Sequence, residues 1–246
     1  MKALTELKTK IFADGADKDG MLKMYREPWI KGFTTNPTLM RQAGVRDYEG
    51  FARDILAAIA DRPISFEVFA DDFGEMERQA QKIASWGGNV FVKVPVTDTK
   101  GNPSYDTIRR LTHAGVKLNV TAMMTLDQVV DVSRCLAGGA PSFVSVFAGR
   151  IADTGRDPVP IMRAAVEHLQ ATPNVELIWA SPRELLNILQ ADETGCHVIT
   201  VTNDILKKLQ ILGKDLDEYS LDTVRMFHND AQTAGYQLHT GAVAAD

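Results

Sequence analysis

The chain alternates between two hydrophobic periods. Short apolar or β-branched runs begin at Ile11 (IFAD), Gly32 (GFTT), Ile64 (ISFEVFA), Val90 (VFVKVPV), Lys117 (KLNVTA), Ser142 (SFVSVFA), Val175 (VELIWA) and His197 (HVITVT). These eight read as strands, and several are apolar almost throughout, as parallel strands covered on both faces should be. Between them lie amphipathic stretches with helical spacing. Phe73, Met76, Ala80 and Ile83 form one stripe, and Tyr48, Phe51, Ile55 and Ile59 another. Asp47 is placed to cap the second of these. Asp72 with Glu75, Thr125 with Gln128, and Ser181 with Glu184 have capping-box spacing, the last with Pro182 at the favoured first helical position. Successive strands start 21 to 33 residues apart, the size of a strand plus a helix.

Eight such units in 246 residues predict a single (β/α)8 TIM barrel. The rival is an open doubly wound sheet, which usually carries a glycine-rich phosphate turn after its first strand. Here that turn reads Asp14-Gly-Ala-Asp-Lys-Asp-Gly20, with no G-x-G-x-x-G. A last amphipathic stretch, residues 220–235, predicts an extra C-terminal helix that buries Leu221, Val224, Phe227 and Ala231 and stops at Gly235. The expected organisation is one domain over residues 1–236, including this helix. Residues 237–246 are expected to be a mobile tail.

Composition then narrows the function. Apolar residues make up 45% and charged residues 24%, which excludes wholesale disorder. A net charge of −5 argues against broad nucleic-acid or membrane-surface binding, while leaving room for a local basic pocket. Two cysteines, Cys135 and Cys196, make neither a disulfide framework nor a four-thiolate zinc site. The five histidines have no metal-ligand spacing with one another or with the cysteines. No signal core or membrane-spanning run is visible, so a soluble, cytoplasmic protein is expected.

In a barrel the chemistry gathers at the C-terminal ends of the strands. Lys93 lies in a run with no other charge. Such an ammonium is either paired or loses its proton readily, and in the second case its amine can form a Schiff base with a carbonyl. Asp14 and Glu67 also interrupt apolar strands, and either could shuttle protons or simply pair with Lys93. Thr34, Thr35, Asn36, Asn119, Thr121 and Ser145 are polar strand-end positions, suited to sugar hydroxyls or a water and equally to ordinary turns. Arg150, Ser181 and Arg183 could form an anion site at the start of a helix, although Ser181 also reads as a plain N-cap.

Together these positions resemble the transaldolase family, in particular its compact branch that includes fructose-6-phosphate aldolases. The resemblance is carried by Phe12-Ala-Asp14, Gly32-Phe-Thr-Thr-Asn-Pro-Thr38, Glu67, Val92-Lys93-Val-Pro, Asn119-Val-Thr121, Ser145-Val-Phe-Ala-Gly-Arg150-Ile and Ala180-Ser-Pro-Arg183, in order over about residues 10 to 236. It implies a class I aldolase with no metal or organic cofactor. Lys93 would form the Schiff base, Glu67 and Thr121 would hold a proton-relaying water, and Asp14 would take the proton from the C4 hydroxyl. Thr34, Asn36, Asn119 and Ser145 would bind the dihydroxyacetone portion, and Arg150, Ser181 and Arg183 the terminal phosphate. Glu67 and Phe147 stand where the hydrolysing aldolases carry Gln and Tyr. This favours transfer of a dihydroxyacetone unit from sedoheptulose 7-phosphate or fructose 6-phosphate to an aldose phosphate, as in the pentose phosphate pathway. The alternatives are release of free dihydroxyacetone and action on a sulfonated ketose. The expected partners are small sugar phosphates and further copies of the chain, up to a decamer, joined through the C-terminal helix, with neither nucleic acid nor membrane.

Overall fold

Eight strands of the described residues, 4–238 of this computed structural model, pair in parallel and in sequence order into a closed barrel. They are β1 (Lys10–Asp14), β2 (Ile30–Thr34), β3 (Ile64–Glu67), β4 (Val90–Pro95), β5 (Leu118–Met123), β6 (Ser142–Val146), β7 (Val175–Trp179) and β8 (Val198–Thr202). Closure is made by β1 against β8, in continuous register from Lys10↔Val198 to Asp14↔Thr202. The predicted runs fall on these strands, and β6 and β8 are buried at nearly every position, as parallel strands covered on both faces are.

Helices follow the strands: α1 (Lys18–Tyr25), α2 (Pro37–Gln42), α3 (Tyr48–Ala58), α4 (Phe73–Ala84), α5 (Tyr105–His113), α6 (Leu126–Leu136), α7 (Ala148–Asp153), α8 (Val159–Leu169), α9 (Leu186–Glu193) and the short α10 (Asn203–Leu206). Five of them, α1, α2, α3, α4 and α6, start at a side-chain cap. Asp47 accepts from Gly50 N–H, and Thr125 with Gln128 makes both halves of a capping box. Asp72 caps α4 through Glu75 N–H, but the Glu75 carboxylate turns to Arg78 and Gln79, so the reciprocal half is not made. Met76, Ala80 and Ile83 of α4 are buried as its stripe requires.

The interior of the barrel shows how period-2 geometry builds a site. Phe12 of β1 and Phe143 of β6 meet edge to face with centroids 5.6 Å apart, and Phe91 of β4 lies 4.4 Å from Phe143. These rings, with Ile178, Ala180 and Val198, plug the barrel. Gly32 of β2 gives Phe12 its room, since a Cβ there would stand 2.6 Å from the ring. Side chains two residues on along a strand point to the same face. Above the three rings come Asp14, Lys93 and Ser145.

The described residues form two compact units, 4–207, which hold the barrel, and 208–238. In the second unit, α11 (Leu216–Ala234) starts four residues earlier than predicted, because Asp215 caps it by accepting from Asp217 and Glu218 N–H. It ends at Gly235 in the left-handed region. The predicted burial of its stripe is not met: Leu221, Val224 and Phe227 are exposed, Phe227 by 64%. Periodicity identifies the apolar face of a helix but not what covers it. Most of the predicted tail, residues 239–246, lies outside the described residues.

Candidate active site

All the predicted site residues except Thr35 and Asn119 line one cavity of about 650 Å³ at the C-terminal ends of the strands. Strand register accounts for its floor. Glu67, Lys93 and Asn119 pair laterally across β3, β4 and β5. The Lys93 side chain is 8% exposed, and its nitrogen lies 3.0 Å from Glu67 Oε2 while donating to the Thr35 carbonyl at 2.8 Å. A buried ammonium needs such partners, and here it has two.

Across the floor, Asp14 Oδ1 accepts from the Thr34 hydroxyl at 2.7 Å, and Thr34 also meets Thr200 of β8. Burial pushes the Asp14 carboxyl above its ordinary range. The Lys93 charge and the Thr34 hydrogen bond oppose that rise, and the Glu67 charge adds to it. Asn119 lies fully buried just below the cavity, donating to Ser65 Oγ at 3.0 Å and accepting from Ser145 Oγ at 2.7 Å. It therefore orients Ser145, which does reach the cavity.

Thr121 is aimed by an irregularity in β5. The β5–β6 register shifts between Val120 and Met123, and Ala122 takes a left-handed φ of 65°. The Thr121 hydroxyl is buried in the cavity wall with no protein partner. Trp86 Nε1, Thr112 Oγ1, Trp179 Nε1 and Asn203 Oδ1 share this lack of a protein partner, but of these five residues only Thr121 lines the cavity. Asn36 lines the cavity too, but its side-chain oxygen caps α2 through Leu39 N–H at 2.9 Å.

At the rim the prediction needs correcting. Ser181 and Pro182 do not open a helix: α9 begins at Leu186, and Ser181 has a left-handed φ of 61°. Asn187 Oδ1 reaches back to Arg183 and Glu184 N–H. The physical reason is tertiary. Gly149 of α7 packs so closely that a Cβ there would stand 1.6 Å from the Ser181 carbonyl oxygen, and the loop is shaped around that approach. Arg150 follows Gly149, and its guanidinium lies over the Phe147 ring, 5.6 Å from the centroid. Arg183 donates Nε to Asp153 Oδ1 at 2.9 Å and Nη2 to Oδ2 at 2.5 Å, with Nη1 on Ser181 Oγ at 3.1 Å. The Arg183 hydrogen bonds hold the Asp153 carboxyl below its usual range.

Asp153, Thr200 and Tyr48 were not singled out as site residues from the sequence. Tyr48 reads only as an apolar stripe position, yet its hydroxyl both accepts from Glu67 N–H and donates to the Glu67 carbonyl. Burial pushes its phenol above the ordinary range. A larger cavity, about 970 Å³, opens at the opposite ends of the strands. Its polar groups are largely engaged, with Lys10 on Glu176 and Lys117 on the Gly88 carbonyl, and none of the predicted residues lies there. Among the described residues, no cluster of three or more His, Cys, Asp or Glu could hold a metal ion. No described helix is long and apolar enough to cross a membrane.

Residues 11–238 match the family model described as transaldolase/fructose-6-phosphate aldolase. A protein of Dehalococcoides mccartyi named probable transaldolase is 33% identical over 81% of this chain and 89% of its own length. Another of that name, from Thermoanaerobacter sp., is 31% identical over 93% of this chain and all of its own. The dihydrodipicolinate synthase of Rhodopseudomonas palustris shares the fold, with a TM-score of 0.57 at 14% identity over the whole of this chain and 95% of that one.

Proposed function

Because the chain belongs to the transaldolase/fructose-6-phosphate aldolase family, we propose that it transfers a dihydroxyacetone unit between phosphorylated sugars through an imine on Lys93. The observation that carries this reading is the buried Lys93 nitrogen, held between Glu67 and Thr35 on a cavity floor that also presents Asp14.

In this reading Lys93 gives its proton to Glu67 or to a water, and its amine attacks C2 of the ketose. The carbinolamine takes up a proton and loses water to give an iminium, with Glu67 and the unpartnered Thr121 hydroxyl holding the water that relays these protons. Asp14 then removes the proton of the C4 hydroxyl. The C3–C4 bond breaks, its electron pair moves into the iminium to give an enamine, and the aldose phosphate leaves. An acceptor aldose adds by the reverse steps, and water then releases the new ketose and restores Lys93. The iminium acts as the electron sink, and fixed groups on a rigid floor stabilise the charge that develops.

Thr34, Asn36 and Ser145 face the dihydroxyacetone portion, with Asn119 holding Ser145. Arg150, Ser181 and Arg183 serve the phosphate end. Glu67 and Phe147 favour passing the three-carbon unit to an aldose over releasing it to water. Asp153 offsets one of the two arginine charges, which supports a singly charged sulfonate as a second reading for the anionic group. The exposed face of α11 supports assembly with further copies of this chain.

Borohydride added with fructose 6-phosphate should leave a three-carbon adduct on Lys93, and Lys93→Ala should abolish both adduct and turnover. Full activity in Lys93→Ala would end the proposal. Running the assay with and without erythrose 4-phosphate separates transfer from release of free dihydroxyacetone.

A further inference from the structure

The ladder between β2 and β3 stops one rung early, and the groups that would have continued it are used elsewhere. Phe33 N–H donates to the Pro63 carbonyl at 2.9 Å and Thr35 N–H to the Ser65 carbonyl at 3.2 Å. In a parallel pair the next bond would run from Glu67 N–H to the Thr35 carbonyl. Instead Glu67 N–H donates to the Tyr48 hydroxyl at 2.8 Å, and that hydroxyl donates to the Glu67 carbonyl at 3.1 Å. The Thr35 carbonyl is thereby left to accept from the Lys93 nitrogen. The Tyr48 ring cannot easily drift away. It packs edge-on against Phe69 and Phe66, at 4.6 and 6.2 Å, and lies 5.9 Å from Trp86.

We propose that Tyr48 is a positioning residue for Lys93 and Glu67: its hydroxyl draws the Glu67 N–H out of the sheet and so reserves the Thr35 carbonyl for the Lys93 nitrogen. The proposal rests on the imine reading above. A buried N–H seeks an acceptor. Without the hydroxyl, Glu67 N–H takes the Thr35 carbonyl, adds a rung to the ladder and turns the Glu67 side chain from its present line. Lys93 then keeps only its charged neighbours, Glu67 from β3 and Asp14 from β1. An ammonium that loses an acceptor gives up its proton more readily. The pH at which imine formation is half-maximal therefore moves down, and turnover falls because the water-relaying carboxylate is misaligned.

The test is Tyr48→Phe, read by borohydride trapping on Lys93 across the range where lysine amines titrate, together with steady-state kinetics on fructose 6-phosphate and erythrose 4-phosphate. The expected result is a turnover loss of about 10- to 100-fold with KM within about twofold. The trapping midpoint should shift down by roughly half a pH unit or more. Trp86→Phe, which loosens the ring packing and leaves the hydroxyl, should lower thermal stability and leave the midpoint where it was. If Tyr48→Phe does not fold, 4-fluorophenylalanine at position 48 fills the same volume without the hydroxyl and is read the same way. An unshifted midpoint with unchanged turnover overturns the role of Tyr48. Absence of a Lys93 adduct in the unaltered chain overturns the imine reading itself, so the two failures are distinguishable.

Discussion

Gly149→Ala should damage the arginine-lined end of the cavity out of proportion to its size. The added methyl would lie 1.6 Å from the Ser181 carbonyl oxygen and 2.8 Å from its carbon. Backbone on both sides means that no flexible side chain can swing away. Reaching ordinary contact requires α7 and the Ser181 loop to part by about 2 Å, and overpacking of this kind costs about 1–3 kcal/mol. Opposing it is the intrinsic gain from Gly to Ala within a helix, about 1 kcal/mol. The clash should win, lowering the melting temperature by a few degrees at roughly 2–4 °C per kcal/mol. Arg150 rides on α7, while Ser181 and Arg183 ride on the displaced loop, so the guanidinium groups separate. A misplacement of about 1 Å can cost about 100-fold, so KM for fructose 6-phosphate should rise at least tenfold, with a matching loss of inhibition by inorganic phosphate. Calorimetry and steady-state kinetics on the same preparation suffice. A raised melting temperature with unchanged KM would mean that the helix propensity acts alone, and the close approach would be refuted.

Three further outcomes follow from other contacts. Burial raises the Asp14 carboxyl, so ionising it opposes folding; that burden is absent at pH below its unfolded value and complete above its folded one. Asp14→Asn should therefore melt higher than the native chain near neutral pH but not in acid, while turnover collapses. Asp153→Asn removes the fork that orients Arg183, and KM for phosphorylated donors should rise about three- to tenfold, discounted because the pair is half exposed; an unchanged or lower KM would show that Asp153 competes with the substrate instead. Replacing Val224 and Phe227 of α11 with Glu should convert an oligomer to monomer in sedimentation velocity, whereas a native chain that already sediments as monomer would rule out assembly through this face.

The barrel was legible because strands buried on both faces leave a signature that few other structures share, and each predicted run became a strand. Much of the site was legible for a related reason. A charge such as Lys93 or Glu67 inside an apolar run has few explanations, and strand register then brings the two together without further information. Ser181 shows where local reading fails: Ser-Pro followed by Glu184 satisfies every rule for a helix start, yet packing against Gly149 sets a left-handed turn there. Tyr48 and Asp153 were missed for another reason. Tyr48 sits in a helical stripe that would be complete with phenylalanine, and Asp153 is one of many charges on helix surfaces. Only the fold shows that one hydroxyl and one carboxylate meet Glu67 and Arg183.

The rings of Phe12, Phe91 and Phe143 sit two residues below Asp14, Lys93 and Ser145, and this pairing bears on how the chain avoids misfolding. A strand offset by one residue would turn Lys93 toward the covering helices and bring Val92 or Val94 into the lumen. The displaced ammonium would then lie in an apolar layer with no carboxylate beside it, which is among the most unfavourable placements a side chain can have. The charged groups of the cavity floor thus also proofread the barrel as it closes, since a misaligned strand strands its own charge.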